Sequence, residues 1–316
     1  MVTLSKIAKM ANVSISTASK AFSMSPEVNE QTRDLIFNIA KELGCFKKFY
    51  NAKYPKLVIA VICPEFASLF YAKQLVAIEE TLASYNCRLC VTCNNFSSEE
   101  SDALLSYYYD YSKVDGIIVM GEKKNTPERC EVPIVYIFDP DEYKQESDNN
   151  QFIEVINYYY EKGVRDFGFI GEELTETKNK KFIYALRLKG IEPNESYIKI
   201  TSERFEESGY LAMNSLFERN ALPRVLFCAY DNIAIGAIRC IKDHGLSVPE
   251  DIAVIGCDNV REAEYLSPRL ASIDLGAVEF CKTAALNMIN ILRGTKTEPI
   301  PHVKSKFILR ESGIID

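Results

Sequence analysis

Apolar residues recur at spacings of three and four in three short segments of residues 1–44, and this pattern predicts three helices. Each segment follows a residue that can cap the first helical turn; these predicted N-caps are Thr3, Ser14 and Asn29. The residues expected to face inward are Leu4, Ile7, Ala8 and Ala11, then Ala18, Ala21 and Phe22, then Leu35, Ile36, Ile39, Ala40 and Leu43. Two helices separated by a short break and supported by a third indicate a helix-turn-helix.

From Leu57 onward, short continuous apolar runs alternate with longer amphipathic segments. The predicted strands are Leu57–Cys63, Arg88–Cys93, Gly116–Met120, Ile134–Phe138, Phe167–Gly171, Tyr197–Ile200, Val225–Ala229 and Ile252–Cys257. The predicted helices between them are Ala72–Tyr85, Glu99–Tyr111, Phe152–Lys162, Asn179–Leu188, Glu207–Arg219, Asn232–His244 and Ala277–Arg293. This alternation predicts an α/β body of two doubly wound parallel-sheet subdomains behind an all-α headpiece.

The composition is that of a globular protein, with 316 residues of which 47% are hydrophobic. No apolar run approaches the ~18 residues of a membrane span, and no signal-peptide pattern opens the sequence, so we expect a cytoplasmic protein. The ten cysteines lie mostly in apolar runs, where reduced thiols act as small hydrophobic side chains. Cys87, Cys90 and Cys93 lack a second ligand pair, and we predict no metal site and no cofactor.

Charge is distributed unevenly along the chain. The net charge is −7, but residues 1–56 carry nine basic and four acidic side chains and are therefore net +5. A basic headpiece on an acidic body can bind a polyanion at one end only. The outer face of the second predicted helix carries Ser16, Thr17, Ser19 and Lys20, which are short hydrogen-bonding groups with one cation and suit a DNA major groove.

The headpiece sequence resembles that of the lactose-repressor/galactose-repressor (LacI/GalR) family of transcription regulators. Residues 4–22, LSKIAKMANVSISTASKAF, match the family pattern I-A-x-x-A-G-V-S followed by T-V-S-R, and residues 25–44 continue the match. Asn12 replaces the usual glycine, Ala18 a valine and Lys20 an arginine. Asparagine tolerates the left-handed conformation better than most residues, so we expect the turn to persist.

The resemblance implies contacts with an operator DNA duplex of inverted-repeat sequence. By position, the base contacts would come from Ile15, Ser16 and Lys20. The phosphate contacts would come from Thr3, Ser14, Thr17, Ser19 and Asn29 or its neighbours. For Ser14 and Thr17, helix capping and local hydrogen bonding are the alternative roles.

The segment between Gly44 and Leu57 departs from the family, because it is short and lacks the leucine that family members insert into the minor groove. One interpretation makes Phe49, Tyr50 or Tyr54 the inserted side chain, with Lys47, Lys48 and Lys53 on phosphates. The other, which we favour, is an ordinary linker with Phe46 and Phe49 packed on the headpiece.

The body resembles the same family over essentially its full length. Residues 228–259 match its A-x-N-D-x-x-A-x-G-A and G-L-x-V-P-x-D-I-x-V-x-G-x-D signature, and residues 113–121, 147–171 and 308–313 match as well. The resemblance implies a periplasmic-binding-protein-like fold with three crossovers between two lobes, and a homodimer. The domains would be a headpiece (1–46), a linker (47–56) and an effector-binding and dimerisation domain (57–316). One lobe would comprise about 57–139 and 274–293, and the other about 140–273 and 298–313.

Several predicted strands end in polar residues, and ligands of such sheets bind beyond the carboxyl ends of the strands. By position, the resemblance implies effector contacts from Ser68, Phe70, Tyr71, Asp139, Lys178, Phe205 (or Arg204), Tyr230 and Asp258. The aromatic residues could stack on a sugar or another flat ligand, and the aspartates could bind hydroxyls or an amine; core packing is the alternative for each aromatic. For Asp231 we expect the role of a helix N-cap.

The favoured function is a DNA-binding transcription regulator, a repressor controlled by a small, sugar-like effector. The alternative is a cytoplasmic ligand-binding protein whose headpiece has little or no DNA function. An enzyme is disfavoured, because the sequence lacks a glycine-rich phosphate loop and a nucleophile elbow. The two histidines, His244 and His302, lie in no catalytic pattern, and His244 is better explained as a charge or cap at a helix end.

Overall fold

The structure, a computed structural model, describes residues 2–23, 25, 27–50, 57–111, 114–121, 132–137, 150–299 and 304–315. The headpiece helices are α1 (Leu4–Met10), α2 (Ile15–Phe22), α3 (Glu30–Glu42) and the short α4 (Phe46–Phe49). Their common core contains Ile7, Ala21, Phe22 and Ile36, as the apolar spacing predicted. In the described residues, no helix is both long and apolar enough to cross a membrane.

The prediction that Leu35 faces inward is wrong, because its side chain is 49% exposed. The buried face of α3 is displaced toward the other side of the helix, where Phe37 packs against two aromatic rings that follow α3. The ring centroids of Phe37 and Phe46 are 4.9 Å apart, and those of Phe37 and Tyr50 are 5.3 Å apart. These rings cover the side of α3 opposite Leu35.

The turn between α1 and α2 contains Asn12 with φ of +51°, which confirms the predicted left-handed residue. We expect Asn12→Ala to destabilise the headpiece by about 1 kcal/mol, because a β-carbon without a polar side chain is disfavoured in this conformation. Asn12→Gly should have little effect. Amide hydrogen exchange of residues 4–22 in the full chain measures both changes, and equal exchange in the alanine and glycine variants would contradict the prediction.

The first lobe contains a parallel sheet in the order β2-β1-β3-β4. Its elements are β1 (Leu57–Cys63), α5 (Leu69–Ser84), β2 (Cys87–Cys93), α6 (Ser98–Asp110), β3 (Gly116–Met120) and β4 (Ile134–Ile137). The bounds of β1 and β3 are those predicted, since in each case a buried apolar run ends abruptly.

The second lobe contains a six-stranded sheet in the order β10-β9-β8-β7-β5-β6. The elements after β4 are α7 (Gln151–Glu161), β5 (Phe167–Glu172), α8 (Glu176–Leu188), β6 (Ile198–Thr201), α9 (Phe205–Glu218), β7 (Val225–Cys228), α10 (Asp231–Asp243), β8 (Ala253–Cys257), β9 (Ala271–Asp274), α11 (Ala277–Arg293) and β10 (Lys306–Ile308). The sequence did not predict β9 and β10, which have four and three residues, and β10 is antiparallel to β9. The two doubly wound sheets confirm the predicted fold class.

The chain crosses between the lobes three times. It passes to the second lobe between β4 and α7, and it returns after β9 so that α11 packs on the first sheet, where Cys281, Ala284 and Met288 join the core of Ile59 and Ile118. It then crosses again to place β10 at the edge of the second sheet.

Helices α9 and α10 pack unusually closely. A β-carbon built on Gly209 of α9 would lie 1.9 Å from the carbonyl oxygen of Ile233, and one built on Gly236 of α10 would lie 1.8 Å from that of Glu206. Each glycine therefore lets the backbone of the other helix approach it directly. Both helices border the loops that carry cleft residues, so this crossing helps to fix the second lobe's side of the cleft.

Candidate functional site

Helix α2 presents a small polar surface on the outside of the headpiece. Ile15 is 54% exposed, and Ser16, Ser19 and Lys20 are exposed beside it, whereas Ala18, Ala21 and Phe22 are buried. Thr17 is half-buried. The helix is thus anchored by one apolar face and offers the other to a partner, as a recognition helix must.

Three of the residues predicted to contact phosphates are helix caps. The Thr3 hydroxyl accepts a hydrogen bond from the backbone nitrogen of Lys6, and the Asn29 side chain accepts one from Thr32. The Ser14 hydroxyl accepts from the Thr17 nitrogen at 2.9 Å and lies 2.8 Å from the Thr17 hydroxyl. The alternative role of Ser14 and Thr17 in local hydrogen bonding is therefore present, and their contacts with DNA stay a prediction.

Lys20 forms an ion pair with Glu27, which lies in the loop between α2 and α3. Both side chains are exposed, so the pair is screened by water and is expected to contribute little to stability. A stronger partner could therefore displace Glu27 and bind Lys20 in its place.

Aromatic residues after α3 pack on the headpiece. Phe46 and Phe49 lie 6.1 Å and 5.8 Å from Phe22 between ring centroids, and Tyr50 joins the same core. This confirms the favoured packing of Phe46 and Phe49. Lys47 lies 3.8 Å from Asp115 of the first lobe, whereas Lys53 and Tyr54 lie outside the described residues.

The cleft between the lobes contains a cavity of about 200 Å³. Seven of the eight residues predicted as effector contacts line it, namely Ser68, Phe70, Tyr71, Lys178, Phe205, Tyr230 and Asp258. The eighth, Asp139, lies outside the described residues. The structure thus brings together side chains from the ends of β1, β7 and β8 and from the starts of α5, α8 and α9.

Six lining residues were not predicted as effector contacts; Leu174, Thr175 and Leu275 are three of them, and the other three contribute charge or an aromatic ring. Glu65 follows β1, Phe96 follows β2, and Glu172 ends β5. Their only signal in the sequence was a position at the end of a strand. A second cavity, of about 260 Å³, adjoins the first and shares Tyr71 and Phe96 with it.

Arg204 makes several side-chain hydrogen bonds in the described part of the cleft. Its Nη2 donates to Glu65 Oε1 at 2.9 Å, and its Nη1 donates to Glu65 Oε2 at 2.5 Å. Its Nε lies 3.2 Å from both oxygens of Glu172. The hydrogen bonds to Glu65 raise the pKa of Arg204, so it stays charged.

Lys178 is held by the second lobe. Its Nζ donates to the carbonyl oxygen of Ala229 at 2.8 Å and to Asp258 Oδ1 at 3.4 Å. Burial alone would lower the pKa of Lys178, but the charge and hydrogen bond of Asp258, together with Cys257 and Asp231, outweigh burial and raise it. An ammonium group with three donors and one short hydrogen bond can still donate to a ligand.

Three aromatic residues at the cleft have an additional hydrogen bond or a strained backbone. The Tyr230 hydroxyl accepts a hydrogen bond from the Phe205 backbone at 3.1 Å, and burial raises the pKa of Tyr230. Phe205 has φ of +56° and Phe96 has φ of +60°. Such conformations are costly for aromatic residues and tend to occur at functional sites.

The prediction that Asp231 is an N-cap is wrong. The N-cap of α10 is Tyr230, and Asp231 is the first helical residue. Its buried carboxylate accepts hydrogen bonds from the Val260 backbone at 2.8 Å and from the Ser272 hydroxyl at 2.7 Å. Asp231 therefore connects α10 to the loop after β8 and to β9. His244, in contrast, is the C-cap of α10, and its ring stacks on Phe217 at 4.0 Å.

We expect Asp231 to make the second lobe less stable as the pH rises. Burial raises the pKa of its carboxyl from 3.8 to about 7, and the charge of Asp258 also raises it, while Ser272, Val260 and Lys178 lower it. Because the folded state holds this proton more tightly, its stabilising contribution is complete below pH 3.8 and is lost as the pH approaches about 7.

The measurement is urea unfolding of the wild type and Asp231→Asn at pH 5 and pH 8. The stability advantage of the wild type over the variant should shrink between the two values. Asp243→Asn, a change at the exposed end of the same helix, should show no such trend. An advantage that grew with pH would contradict the assignment.

The amino-acid sequence matches two known families. Residues 3–45 match the lacI family of bacterial regulatory proteins, and residues 156–313 match the periplasmic binding protein-like domain. The HTH-type transcriptional repressor PurR of Pasteurella multocida is 30% identical over 295 residues, covering 86% of this chain and 86% of PurR.

Two solved structures share the fold. A lac repressor dimer bound to operator and the anti-inducer ONPF superposes with a TM-score of 0.70 at 17% identity, covering 99% of each chain. A complex of the transcriptional regulator CelR with cellobiose superposes with a TM-score of 0.63 at 24% identity, covering 99% of this chain and 100% of CelR.

Proposed function

Because the chain belongs to the lacI family of bacterial regulatory proteins, we propose that it represses transcription as a homodimer on an inverted-repeat operator. A small, sugar-like effector in the cleft controls that binding. The observation that carries the proposal is the outer face of α2, where small polar side chains and one cation stand exposed on a helix anchored by its buried face. Membership of the family makes the chain a DNA-binding regulator; the roles of individual residues are part of the proposal.

In this proposal α2 lies in the major groove. Ile15 contacts a thymine methyl, Ser16 hydrogen-bonds a base edge, and Lys20 contacts guanine acceptors. The groups on the phosphates are Thr3, Ser14, Thr17, Ser19 and Asn29. Three of these residues cap helices, so the phosphates would meet the exposed backbone N–H groups at the same helix ends.

The effector site is the cavity between the lobes. Phe70, Tyr71, Phe205 and Tyr230 supply aromatic surface, and Lys178 and Asp258 supply a donor and an acceptor. Ser68, and Asp139 from beyond the described residues, complete the proposed set. A sugar-like effector is supported by this mixture of rings and hydrogen-bonding groups and by the cellobiose bound to the structurally similar CelR.

The proposed division of the chain is a headpiece (1–46), a linker (47–56) and an effector-binding and dimerisation domain (57–316). The relative and the structural neighbours named above are transcription regulators, and we infer that this chain is likewise a regulator rather than an enzyme. Its place of action would be the cytoplasm, where operator DNA is accessible.

Selection from a randomised duplex pool tests the DNA function with the full chain. We expect an inverted-repeat consensus, bound with a dissociation constant of about 10⁻⁸ M or tighter, whose affinity falls steeply with salt. Ser16→Glu combined with Ser19→Glu should abolish binding, because it places two anions against the DNA. Glu203→Gln, a charge change on the body, should not affect it. If the selection recovered no consensus and the double variant bound DNA as the wild type does, the proposed operator binding would be wrong. The alternative of a ligand-binding protein without DNA function would then be favoured.

Thermal-shift screening against sugars tests the effector site, because a ligand of the folded state raises the melting temperature. For a sugar that binds, Tyr230→Ala should reduce affinity about tenfold or more, since aromatic side chains supply much of the contact energy of such sites. Tyr265→Ala removes a largely exposed ring outside the cavity and serves as the control. Equal losses in the two variants would contradict the placement of the effector.

A further inference from the structure

Charged side chains from the two lobes meet inside the cleft. Glu65 belongs to the loop after β1 of the first lobe, and Arg204 precedes α9 of the second. We propose that this pair is a latch that holds the lobes together and makes the cleft select neutral polyhydroxyl ligands over charged ones. The proposed ligand selectivity rests on the proposed effector function of the cleft, whereas the proposed latch between the lobes does not.

The second lobe orients Arg204 toward the first. Glu172 accepts from the Nε of Arg204, and the Phe205 ring lies 4.5 Å from the guanidinium carbon. With the Nε and one ring face occupied inside its own lobe, Arg204 presents its terminal nitrogens across the cleft. The left-handed φ of Phe205, the next residue, is part of the backbone path that aims the arginine.

The first lobe supplies a matching partner. The two carboxylate oxygens of Glu65 meet the two terminal nitrogens in a fork, the geometry that gives an arginine–carboxylate pair its strength and direction. The Phe96 ring, also of the first lobe, lies 5.4 Å from the same guanidinium carbon. Arg204 is thus contacted by an acid and an aromatic ring from each lobe.

The pair is partly shielded from water, Glu65 more than Arg204. The side chain of Glu65 is 13% exposed and that of Arg204 is 34% exposed. Removing Arg204 from Glu65 without a new partner would leave a largely buried carboxylate unpaired, which is unfavourable. A second contact across the cleft, from Lys73 Nζ to the Asn259 carbonyl oxygen at 2.7 Å, acts in the same direction.

The latch sets the chemistry of a ligand that enters between its two members. An anion could replace Glu65 on Arg204 but would leave Glu65 without a cation. A cation on Glu65 would leave the terminal nitrogens of Arg204 without their acceptor, with Glu172 paired only to its Nε. Neighbouring hydroxyls of a neutral ligand can donate to Glu65 and accept from Arg204 at the same time, so neither charge is left unpaired. The aromatic walls of the cavity suit the apolar face of a sugar ring.

The latch is tested by measuring the distance between the lobes in the full chain. Spin labels on non-natural amino acids at Ser106 and Lys180, which are exposed on α6 and α8, leave the cysteines untouched. We expect one narrow distance distribution in the wild type and a second, longer population in Glu65→Gln. Glu79→Gln removes the same charge from an exposed ion pair with Arg88 on the same lobe and should match the wild type. Identical distributions in the wild type and Glu65→Gln would overturn the latch.

The selectivity is tested with neutral monosaccharides, each paired with its uronate and its amino sugar, in thermal-shift and calorimetric titrations. The wild type should bind a neutral sugar at least tenfold more tightly than its charged partners, and Glu65→Gln should reduce the preference over the uronate. A preference for a charged sugar would overturn the selectivity. Failure of every sugar to bind would overturn both the proposed selectivity and the proposed effector class. The distances between the spin labels would still show whether the Glu65–Arg204 pair holds the lobes together.

Discussion

Lys20→Ala should weaken binding to the selected operator by about tenfold to a hundredfold, the effect expected for losing one good base contact. Lys20 lies on the exposed face of α2, and its side chain pairs with Glu27, an exposed acid that DNA can displace. On a duplex of scrambled sequence the loss should be smaller, because only the general phosphate attraction changes. Fluorescence anisotropy at one fixed salt concentration measures both affinities.

Two further variants make the result specific. Lys180→Ala removes the same charge from an exposed ion pair with Glu176 on the body and should leave operator affinity unchanged. Glu27→Gln should tighten binding, because it removes the acid that competes for Lys20. An equal loss on operator and scrambled DNA would make Lys20 a phosphate contact rather than a base contact.

Gly209→Ala and Gly236→Ala should each destabilise the second lobe by about 3 kcal/mol or more, as overpacking of a rigid interior does. Glycine to alanine within a helix would otherwise stabilise by about 0.4–1 kcal/mol, so the sign of the change is diagnostic. The reason is the crossing of α9 and α10, where the new methyl group would meet a backbone oxygen that cannot move without shifting its helix.

Urea unfolding followed by circular dichroism measures the effect. Glu207→Ala, an exposed change on α9, should stay within about 0.5 kcal/mol of the wild type. Both substitutions affect the same contact between α9 and α10. The double variant should therefore lose less free energy of unfolding than the sum of the losses in the two single variants. Stability equal to or above the wild type in either glycine variant would show that the helices can separate, contrary to the close packing described.

Much of the fold follows from local pattern. The strands β1 and β3 and the helix α11 have the predicted bounds, because each is a strongly apolar or periodic run with clear ends. The strands β9 and β10 are too short to carry a period. The exposure of Leu35 depends on which side of α3 the following aromatic residues cover, and such a choice is made by tertiary packing.

The two candidate sites differ in how far the sequence predicts them. The face of α2 follows from one helical period: Ser16, Ser19 and Lys20 are exposed as expected, whereas Thr17 is half-buried. In the cleft, family position supplied seven lining residues, but Glu65, Phe96 and Glu172 gain their roles only where strand ends from different lobes meet. Asp231 was predicted to be a helix N-cap because it lies at the start of a helix. Its carboxylate instead accepts hydrogen bonds from Val260 and Ser272, which lie far along the chain.

The three crossings between the lobes have a consequence for limited proteolysis. A protease that cleaves the backbone at one crossing leaves two covalent connections in place, and the cleaved fragments remain interleaved because α11 belongs to the first sheet and β10 to the second. The nicked protein would therefore migrate as one species in a native gel and separate only under denaturing conditions. Isolating either lobe as a continuous polypeptide would require rejoining the chain in a different order.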